Sequence, residues 1–196
     1  MTDTKIVEKQ SDITEQSVTK STHILIVLPP AKSFSQLDEA ILTDVLRADV
    51  LRARMQRRGA KLDSLKKTPM SGDLEQGALA AWVMIDPEQS TFEQHTAMRK
   101  ALELLLAEQP REIVIAVSGT PEQRRLAAEN AIYCTLVNSA LLPERKKKDA
   151  RKALQKITLF GHRSEDAYRT LRAQAAGNTL ARELTMLPAN DLTPGL

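Results

Sequence analysis

Histidines are the first residues to examine, because an imidazole can ligate a metal ion or act as a general base near neutral pH. The chain has three of them, His23, His95 and His162. They are far apart in sequence, and none belongs to an HExxH or HxH arrangement that would place two ligands on one metal ion. We interpret each as a structural residue. The sequence therefore assigns no catalytic, cofactor-binding or metal-binding residue to this chain.

The single cysteine, Cys134, could act as a nucleophile only beside a base that deprotonates it. Its neighbours Tyr133 and Thr135 supply no such base, so we predict a small buried apolar residue. Trp82, the single tryptophan, lies within an apolar run and is interpreted as a core residue. One cysteine also excludes an intrachain disulfide, which is typical of proteins from a reducing compartment.

A third candidate is the turn Ser118-Gly119-Thr120-Pro121, which lies between an apolar run and a helical segment. In α/β proteins a glycine at this place can let a phosphate approach the helix N-terminus. However, the chain has neither a GxGxxG nor a GxxxxGK motif. We therefore interpret the segment as a tight turn in which Thr120 caps the following helix.

Positive charge is concentrated between Glu144 and Lys152, where four consecutive basic residues occupy positions 145–148. Such a run can contact DNA phosphates or an acidic partner, although most charge runs are simply solvated. The net charge of the whole chain is only +3, and aromatic residues make up 3% of it. The scarcity of aromatic residues argues against a stacking platform for single-stranded nucleic acid.

The length of 196 residues fits one domain with a short extension. The polar start MTDTKIVEKQ has no apolar core of a signal peptide. No apolar run approaches the roughly 18 residues that cross a bilayer. We therefore expect a cytoplasmic protein without membrane contact.

Four short apolar runs predict strands that are covered on both faces, because they do not alternate with polar residues. They lie at 23–28, 78–85, 112–117 and 156–160. Helical spacing of apolar residues predicts four helices between and after them. These helices lie at 35–58, 91–108, 121–141 and 164–187, the last with a stripe of Leu171, Ala175, Leu180 and Leu184. Alternation of this kind predicts an α/β layered fold with a largely parallel sheet flanked by helices.

Two segments fall outside this alternation. Residues 1–21 are rich in Thr, Ser, Lys, Glu and Gln, so we interpret them as a flexible leader, with an extra strand as the alternative. Residues 61–77 contain Pro and Gly and are interpreted as a loop or hairpin connection.

The most specific segment is the last one. Positions 181–184 read Ala-Arg-Glu-Leu, and positions 188–194 read Pro-Ala-Asn-Asp-Leu-Thr-Pro. This resembles the signature of the M17 leucyl aminopeptidases, in which a helix ending in Ala-Arg-Asp/Glu-Leu runs into a Pro-Asn-x-x-Thr-Pro turn. The segment 37–59 resembles the early helix of that family, and the order of elements agrees. Met186, Leu187 and Ala189 depart from the residues that many relatives carry.

The resemblance implies that this chain is the N-terminal, non-catalytic domain of a two-domain aminopeptidase, truncated before the catalytic domain. Residues 22–176 would form the macro-domain-like α/β domain, and 177–196 the end of a linker helix and the start of the connection. The missing domain would hold two divalent metal ions, Mn or Zn, which activate a water molecule that attacks the peptide. No cofactor is expected in this chain.

The same resemblance implies the partners: the chain's own catalytic domain, like subunits in a homo-hexamer, and peptide substrates that lose their N-terminal residue. The domain itself would serve assembly and access to the active site, and alone it would be inactive. Exposure of Met186, Leu187 and Leu192 would favour self-association. Two alternatives stay open, a standalone macro-like module that binds DNA or a nucleotide, and an oligomeric scaffold.

Overall fold

A computed structural model describes residues 4–37, 47–74, 77–143 and 151–186. The strands in these ranges are β1 (Lys5–Lys9), β2 (His23–Leu28), β3 (Met70–Asp73), β4 (Leu79–Met84), β5 (Glu112–Val117) and β6 (Lys156–Phe160). The α-helices there are α1 (Glu15–Thr19), α2 (Ala48–Arg58), α3 (Thr91–Leu106), α4 (Pro121–Ser139) and α5 (Arg169–Met186), and short 3-10 turns cover Phe34–Gln36 and Leu62–Lys66.

The six strands form one sheet in the order β1-β6-β5-β2-β4-β3. Every neighbouring pair is parallel except β3 with β4, which is antiparallel. Helices pack on both sides of the sheet, so the predicted α/β layered class with a largely parallel sheet is confirmed. The likeness to macro domains stays a prediction.

Alternate side chains of the central strand β2 enter two separate cores. Ile24 and Ile26 belong to a core with Leu51 of α2, whereas Leu25 and Val27 belong to a core beneath α3 and α4. All six residues of β2 are buried. A strand covered on both faces needs apolar residues at every position, which explains why its sequence does not alternate.

The helices α3 and α4 both begin with a complete capping box. Ser90 and Glu93 form the first box, and Thr120 and Gln123 form the second, each satisfying two backbone donors at the helix start. The predicted N-cap at Thr120 is therefore confirmed. Of the helix predicted over 35–58, the structure has the turn at 34–36 and α2, while 38–46 lie outside the described residues.

The interpretation of residues 1–21 as a flexible leader is wrong for residues 5–19, and the alternative of an extra strand is right for β1. The strand β1 pairs in parallel with β6, and the amide of Lys5 donates to the carbonyl of Gln155 at 2.9 Å. Ile13 and Val18 are buried in the core beside α2. A five-residue edge strand with two apolar residues carries no periodic pattern, so its pairing was not readable.

The connection 61–77 holds a 3-10 turn and then β3, which pairs antiparallel with β4 as the hairpin alternative implies.

The last helix starts later than predicted, at Arg169 instead of Ser164. The reason is a loop in which Ala167 and Tyr168 both have left-handed backbones, at φ 52 and 56. In this loop the Ser164 hydroxyl accepts a hydrogen bond from the amide of Tyr168, and the ring of Tyr168 is buried.

Candidate functional site

The carboxyl edge of the sheet is the first place to look for a site. The strand β2 lies between β5 and β4. After β2 the chain continues to β3 and β4 on one side of it, and from β4 it crosses to β5 on the other side. In open α/β sheets, ligands bind outside the carboxyl ends of the strands at such a reversal point. Here the loops after β2 and β5 meet, and the loop after β5 contains Gly119.

The geometry around Gly119 is accounted for by the protein's own side chains. Gly119 has φ +111, and a Cβ there would lie 2.4 Å from Oε1 of Gln123 and 3.0 Å from Cβ of Pro29. Gln123 Oε1 accepts the amide of Thr120 at 2.9 Å, completing the cap of α4. The glycine therefore makes room for the helix cap and for Pro29, and leaves no cradle for a phosphate.

Arg124 ties three segments together at this edge. Its Nε donates to the carbonyl of Gly119 at 2.9 Å, and its Nη1 donates to the carbonyl of Gly161 at 3.4 Å. The same Nη1 pairs with the carboxylate of Asp12. Gly161 has φ +94, and a Cβ there would lie 2.3 Å from the carbonyl oxygen of Val117. The loops after β5, β6 and β1 are thus locked by internal contacts.

A cleft of ≈ 580 Å³ opens beside these loops. Of its three arginines, Arg124 pairs with Asp12, and Arg125 pairs with Glu129 at 3.0 Å. Burial lowers the pKa of His162, which also lines the cleft, so its imidazole is neutral at pH 7. Only Arg163, among the described residues lining the cleft, brings a cation without a carboxylate partner. This is a weak arrangement for holding an anion.

The other two histidines do not approach His162. His23 at the amino end of β2 contacts Glu108 at 2.9 Å and Thr22 at 3.0 Å through its two ring nitrogens. His95 stacks on Tyr133 with ring centroids 5.1 Å apart, and burial lowers its pKa. Within the described part of the chain, no group of three His, Cys, Asp or Glu residues could hold a metal ion.

Cys134 and Trp82 are both buried, as expected of structural residues. Cys134 is on the buried side of α4, and burial raises the pKa of its thiol to about 12, so it stays protonated at neutral pH. Trp82 is fully buried in the core beside α2. Neither side chain is available to a ligand.

A second groove, of ≈ 420 Å³, lies on the sheet face near β1, β6 and β5. Lys156 pairs with Glu112 at 2.8 Å across two neighbouring strands, and the Thr158 hydroxyl donates to the same carboxylate at 2.7 Å. The ammonium of Lys9 lies 4.5 Å above the ring of Phe160. These contacts describe a polar groove on the sheet face, which Ser17 of α1 lines on one side.

Sequence reasoning missed a buried polar chain at the end of β4. The carboxylate of Asp86 accepts hydrogen bonds from Nζ of Lys66 at 2.5 Å and from the amide of Glu88 at 3.0 Å. Gln94 donates to the carbonyl of Asp86 at 2.9 Å and accepts from Asn130 at 3.1 Å. Burial alone would raise the pKa of Asp86, but the hydrogen bonds from Lys66 and Glu88 hold it below its ordinary value. This chain of contacts joins the 3-10 turn, β4, α3 and α4.

The basic run is described only in part, because 144–150 lie outside the described residues. Arg151 donates to the carbonyl of Leu142 at 2.8 Å, and the amide of Lys152 donates to Oε1 of Gln109 at 3.1 Å. The carboxyl end of the run is thus held by the domain. Its contact with DNA or an acidic partner stays a prediction.

The outer face of α5 is an apolar surface that the described residues leave uncovered. We define it as the exposed residues Ala173, Gly177, Leu180, Ala181 and Leu184, which share one side of the helix, whereas Met186 is exposed at the end of the helix on the side of Ala175. Leu180, Leu184 and Met186 are 55%, 43% and 49% exposed. The exposure of Met186 agrees with the prediction, whereas Leu187 and Leu192 lie outside the described residues.

The stripe predicted along this helix is therefore wrong in its second half. Ala175 is buried, as predicted, but Leu180 and Leu184 face outward. Leu180 follows Ala175 by five residues, about 140° around the helix from it at 3.6 residues per turn. The inner side is instead completed by Thr179, and by Arg182, which donates to the carbonyl of Val137 at 2.7 Å.

None of the described helices combines the length and the apolar character that crossing a bilayer requires.

Comparison with known proteins yields structural neighbours only. No protein-family model matches the chain, and no curated protein sequence matches it. A mutant of tomato leucine aminopeptidase superposes with a TM-score of 0.69 and 19% identity, over 98% of this chain and 40% of that chain. The bottromycin maturation enzyme BotP, in complex with Mn, superposes with a TM-score of 0.54 and 16% identity, over 89% of this chain and 34% of that one. At these identities the likeness is one of fold, and this chain spans well under half the length of either neighbour.

Proposed function

We propose that this chain is the non-catalytic N-terminal domain of a metal-dependent leucyl aminopeptidase, an enzyme that removes N-terminal residues from peptides. The observation that carries the proposal is the superposition on tomato leucine aminopeptidase over 98% of this chain but 40% of that one. The resemblance of positions 181–194 to the M17 signature supports the same family, independently of the fold. A second neighbour in fold is the bottromycin maturation enzyme BotP, in complex with Mn.

The chemistry of the described residues supports a non-catalytic role. A pair of divalent ions needs several carboxylates aimed at one point. The carboxylates at the carboxyl edge are instead used in pairs with arginines, as in Asp12 with Arg124 and Glu129 with Arg125. The described residues thus do not fit a two-metal centre, and we assign the Mn or Zn ions to a peptidase domain of the same polypeptide.

The role that we assign to this domain is assembly with like subunits and control of access to the active site. Its two cores on either side of one sheet and its locked loops suit a rigid spacer. The outer face of α5 gives it a surface that its own fold does not use. The cytoplasmic location is proposed on the same family grounds.

The alternative of a macro-like module for DNA or a nucleotide lacks a favouring observation. The glycines at the carboxyl edge fit Gln123, Pro29 and the Val117 carbonyl closely, so a bound phosphate would have to displace the protein's own contacts.

The test is to isolate the native polypeptide from its source, measure its intact mass, and assay it with leucine p-nitroanilide and Mn²⁺ or Zn²⁺. We expect a polypeptide longer than this chain that hydrolyses the substrate and loses activity with a chelator. This chain alone, assayed in parallel, should be inactive. Hydrolysis by this chain alone, or an inactive native polypeptide with either metal, would overturn the proposal.

A further inference from the structure

The inference begins from β1, an edge strand of the sheet. It pairs in parallel with β6 on one side, and no strand of the described chain lies on its other side. The amide of Lys5 donates towards β6, to the carbonyl of Gln155 at 2.9 Å. Backbone groups alternate in direction along a strand, so those of Ile6 and Glu8 point away from β6. The amides of both residues and the carbonyl of Ile6 have no hydrogen-bond partner within the described ranges.

The side chains of β1 place positive charge on one face of this open edge. The register aligns Lys5 with Lys156 and then with Glu112, across β1, β6 and β5. Lys156 pairs with Glu112 at 2.8 Å, whereas Lys5 has a lysine on its inner side. On the same face, Lys9 is aligned with Phe160, and its ammonium lies 4.5 Å above that ring. Lys5 and Lys9 are exposed, and neither forms an ion pair with any residue that the structure describes.

We propose that β1 binds an extended acidic segment of a partner protein, which adds to the sheet as a further strand antiparallel to β1. Strand addition of this kind takes its affinity from backbone hydrogen bonds and its specificity from alternate side chains. A carboxylate of the added strand would lie beside Lys5, so that the row reads carboxylate, Lys5, Lys156, Glu112. The unpaired cation at the edge would then have the partner that it lacks. The proposal goes beyond the peptidase assignment and does not depend on it.

The register also defines the sequence pattern of the partner. Lys5 and Lys9 are four residues apart, which is about 13 Å along a strand. Two carboxylates that face them must have the same spacing, with an apolar residue between them opposite Val7. The other side of β1 is already used by the domain, because Ile6 packs against the core beneath α3 and α4 and Glu8 accepts the amide of Ser164 at 2.6 Å. Recognition by charge is therefore left to the two lysines.

The same lysines argue against a second copy of this chain as the added strand. In the register that pairs the whole of β1 with itself in antiparallel fashion, Lys5 of each copy lies opposite Lys9 of the other. Like charges that lie directly opposite each other destabilise a strand pair, and lysines on an edge strand commonly prevent such self-pairing. An acidic strand meets no such repulsion, so the charges favour it over a second copy.

An NMR titration of the ¹⁵N-labelled chain with a synthetic peptide tests the proposal. The probe is acetyl-Thr-Glu-Thr-Val-Thr-Glu-Thr-amide, whose two glutamates would lie beside Lys9 and Lys5. We expect the largest amide shifts within residues 5–9 and slower hydrogen exchange at the amides of Ile6 and Glu8. Binding should weaken as the salt concentration rises, because the paired charges are exposed.

Two further peptides separate the backbone contribution from the charge contribution. The first carries N-methyl groups on the two threonines next to the valine, which removes the donors that face β1 and keeps both glutamates. The second has lysines in place of the glutamates. Each should bind at least about tenfold more weakly than the probe, the first through lost hydrogen bonds and the second through repulsion.

A charge exchange on the protein completes the design. Lys5→Glu combined with Lys9→Glu should reverse the preference, so that the lysine peptide binds better than the glutamate probe. The matched control is Lys32→Glu combined with Lys61→Glu, which makes the same change in net charge at two exposed lysines outside the sheet. It should leave binding of the probe within about twofold of the wild type, because exposed charges at a distance are screened.

Two results would overturn the proposal. If the wild type does not bind the probe at up to millimolar concentration, the two lysines serve only to keep the edge from pairing with itself. If the N-methylated peptide binds as well as the probe, the contact is an unspecific attraction between charges and not strand addition. Neither result bears on the peptidase assay, so either proposal can fail without the other.

Discussion

The carboxyl edge of the sheet and the outer face of α5 use glycine in opposite ways. At the edge, Gly161 and Gly119 have left-handed backbones, and a Cβ on either would lie within 2.4 Å of an atom of the same chain. On α5, Gly177 has open space around it, and the leucines beside it are half exposed. The edge is completed by the chain's own contacts, whereas the helix face is not.

The difference bears on the role proposed for this domain. Ligands of α/β proteins usually bind at the carboxyl edge, but here Arg124 and the cap of α4 fill that edge with internal hydrogen bonds. On α5, in contrast, Gly177 lowers the stability of the helix, although no contact in the described chain requires a glycine there. A carboxyl edge held by internal contacts and a surface helix with exposed leucines support the proposed role in assembly.

The largest effect that can break this comparison is expected from Gly161→Ala. Its Cβ would overlap the carbonyl oxygen of Val117, and its φ of +94 is strained for alanine. We expect a loss of about 3 kcal/mol in the free energy of unfolding, measured by urea titration. A variant as stable as the wild type would mean that the carboxyl edge is not locked, and the comparison would no longer hold.

An intermediate effect is expected from Asp86→Asn, which removes the charge that faces Lys66. The carboxylate is largely buried, so the variant should lose about 1–2 kcal/mol of unfolding free energy near neutral pH. The control is Glu129→Gln, which breaks the more exposed pair with Arg125 and should cost less than about 0.5 kcal/mol. Equal losses in the two variants would contradict the assigned burial.

The pH dependence of the Asp86 pair gives a separate prediction. Its pKa in the folded protein lies below the ordinary value of 3.8, so its contribution is complete above that value and is lost as the pH falls through the lowered pKa. The stability gap between wild type and Asp86→Asn should therefore narrow when the urea titration is repeated near about pH 3. If the difference in unfolding free energy between the two proteins grew on acidification, the pH dependence would have the opposite sign and would refute the pairing.

The smallest effect sharpens the comparison from the side of α5. Leu180→Gln exchanges one good helix former for another at a position that is 55% exposed. In dilute solution we expect a change below about 0.5 kcal/mol in the free energy of unfolding. A loss of several times that size, seen by urea titration, would mean that Leu180 serves the chain's own core.

The interior strands could be predicted from sequence to the residue. The predicted runs 23–28, 112–117 and 156–160 coincide with β2, β5 and β6, and 78–85 exceeds β4 by one residue at each end. Burial on both faces forces a continuous apolar run, and Pro or Gly ends most of these runs. The edge strands β1 and β3 were predicted only as alternatives, an extra strand within 1–21 and a hairpin within 61–77, because each has few apolar residues.

The Asp86–Lys66 pair and the exposed face of α5 could not be predicted, because they depend on how distant segments pack together. Asp86 and Lys66 are twenty residues apart, and only the fold brings them to 2.5 Å. The inner side of α5 was misassigned at Leu180, since the apolar spacing changes there from four residues to five. That Gly177 lies in open space follows from the packing of α5 alone, and no motif marks it.

The most direct test of the central claim is the free energy of unfolding of Gly177→Ala, measured by urea titration at a concentration where the chain is monomeric. The account predicts a gain of about 1 kcal/mol, because alanine favours the helix and its Cβ enters open space. A loss of stability would contradict the account, since it would mean that the chain itself needs a glycine there and that the outer face of α5 is already in use.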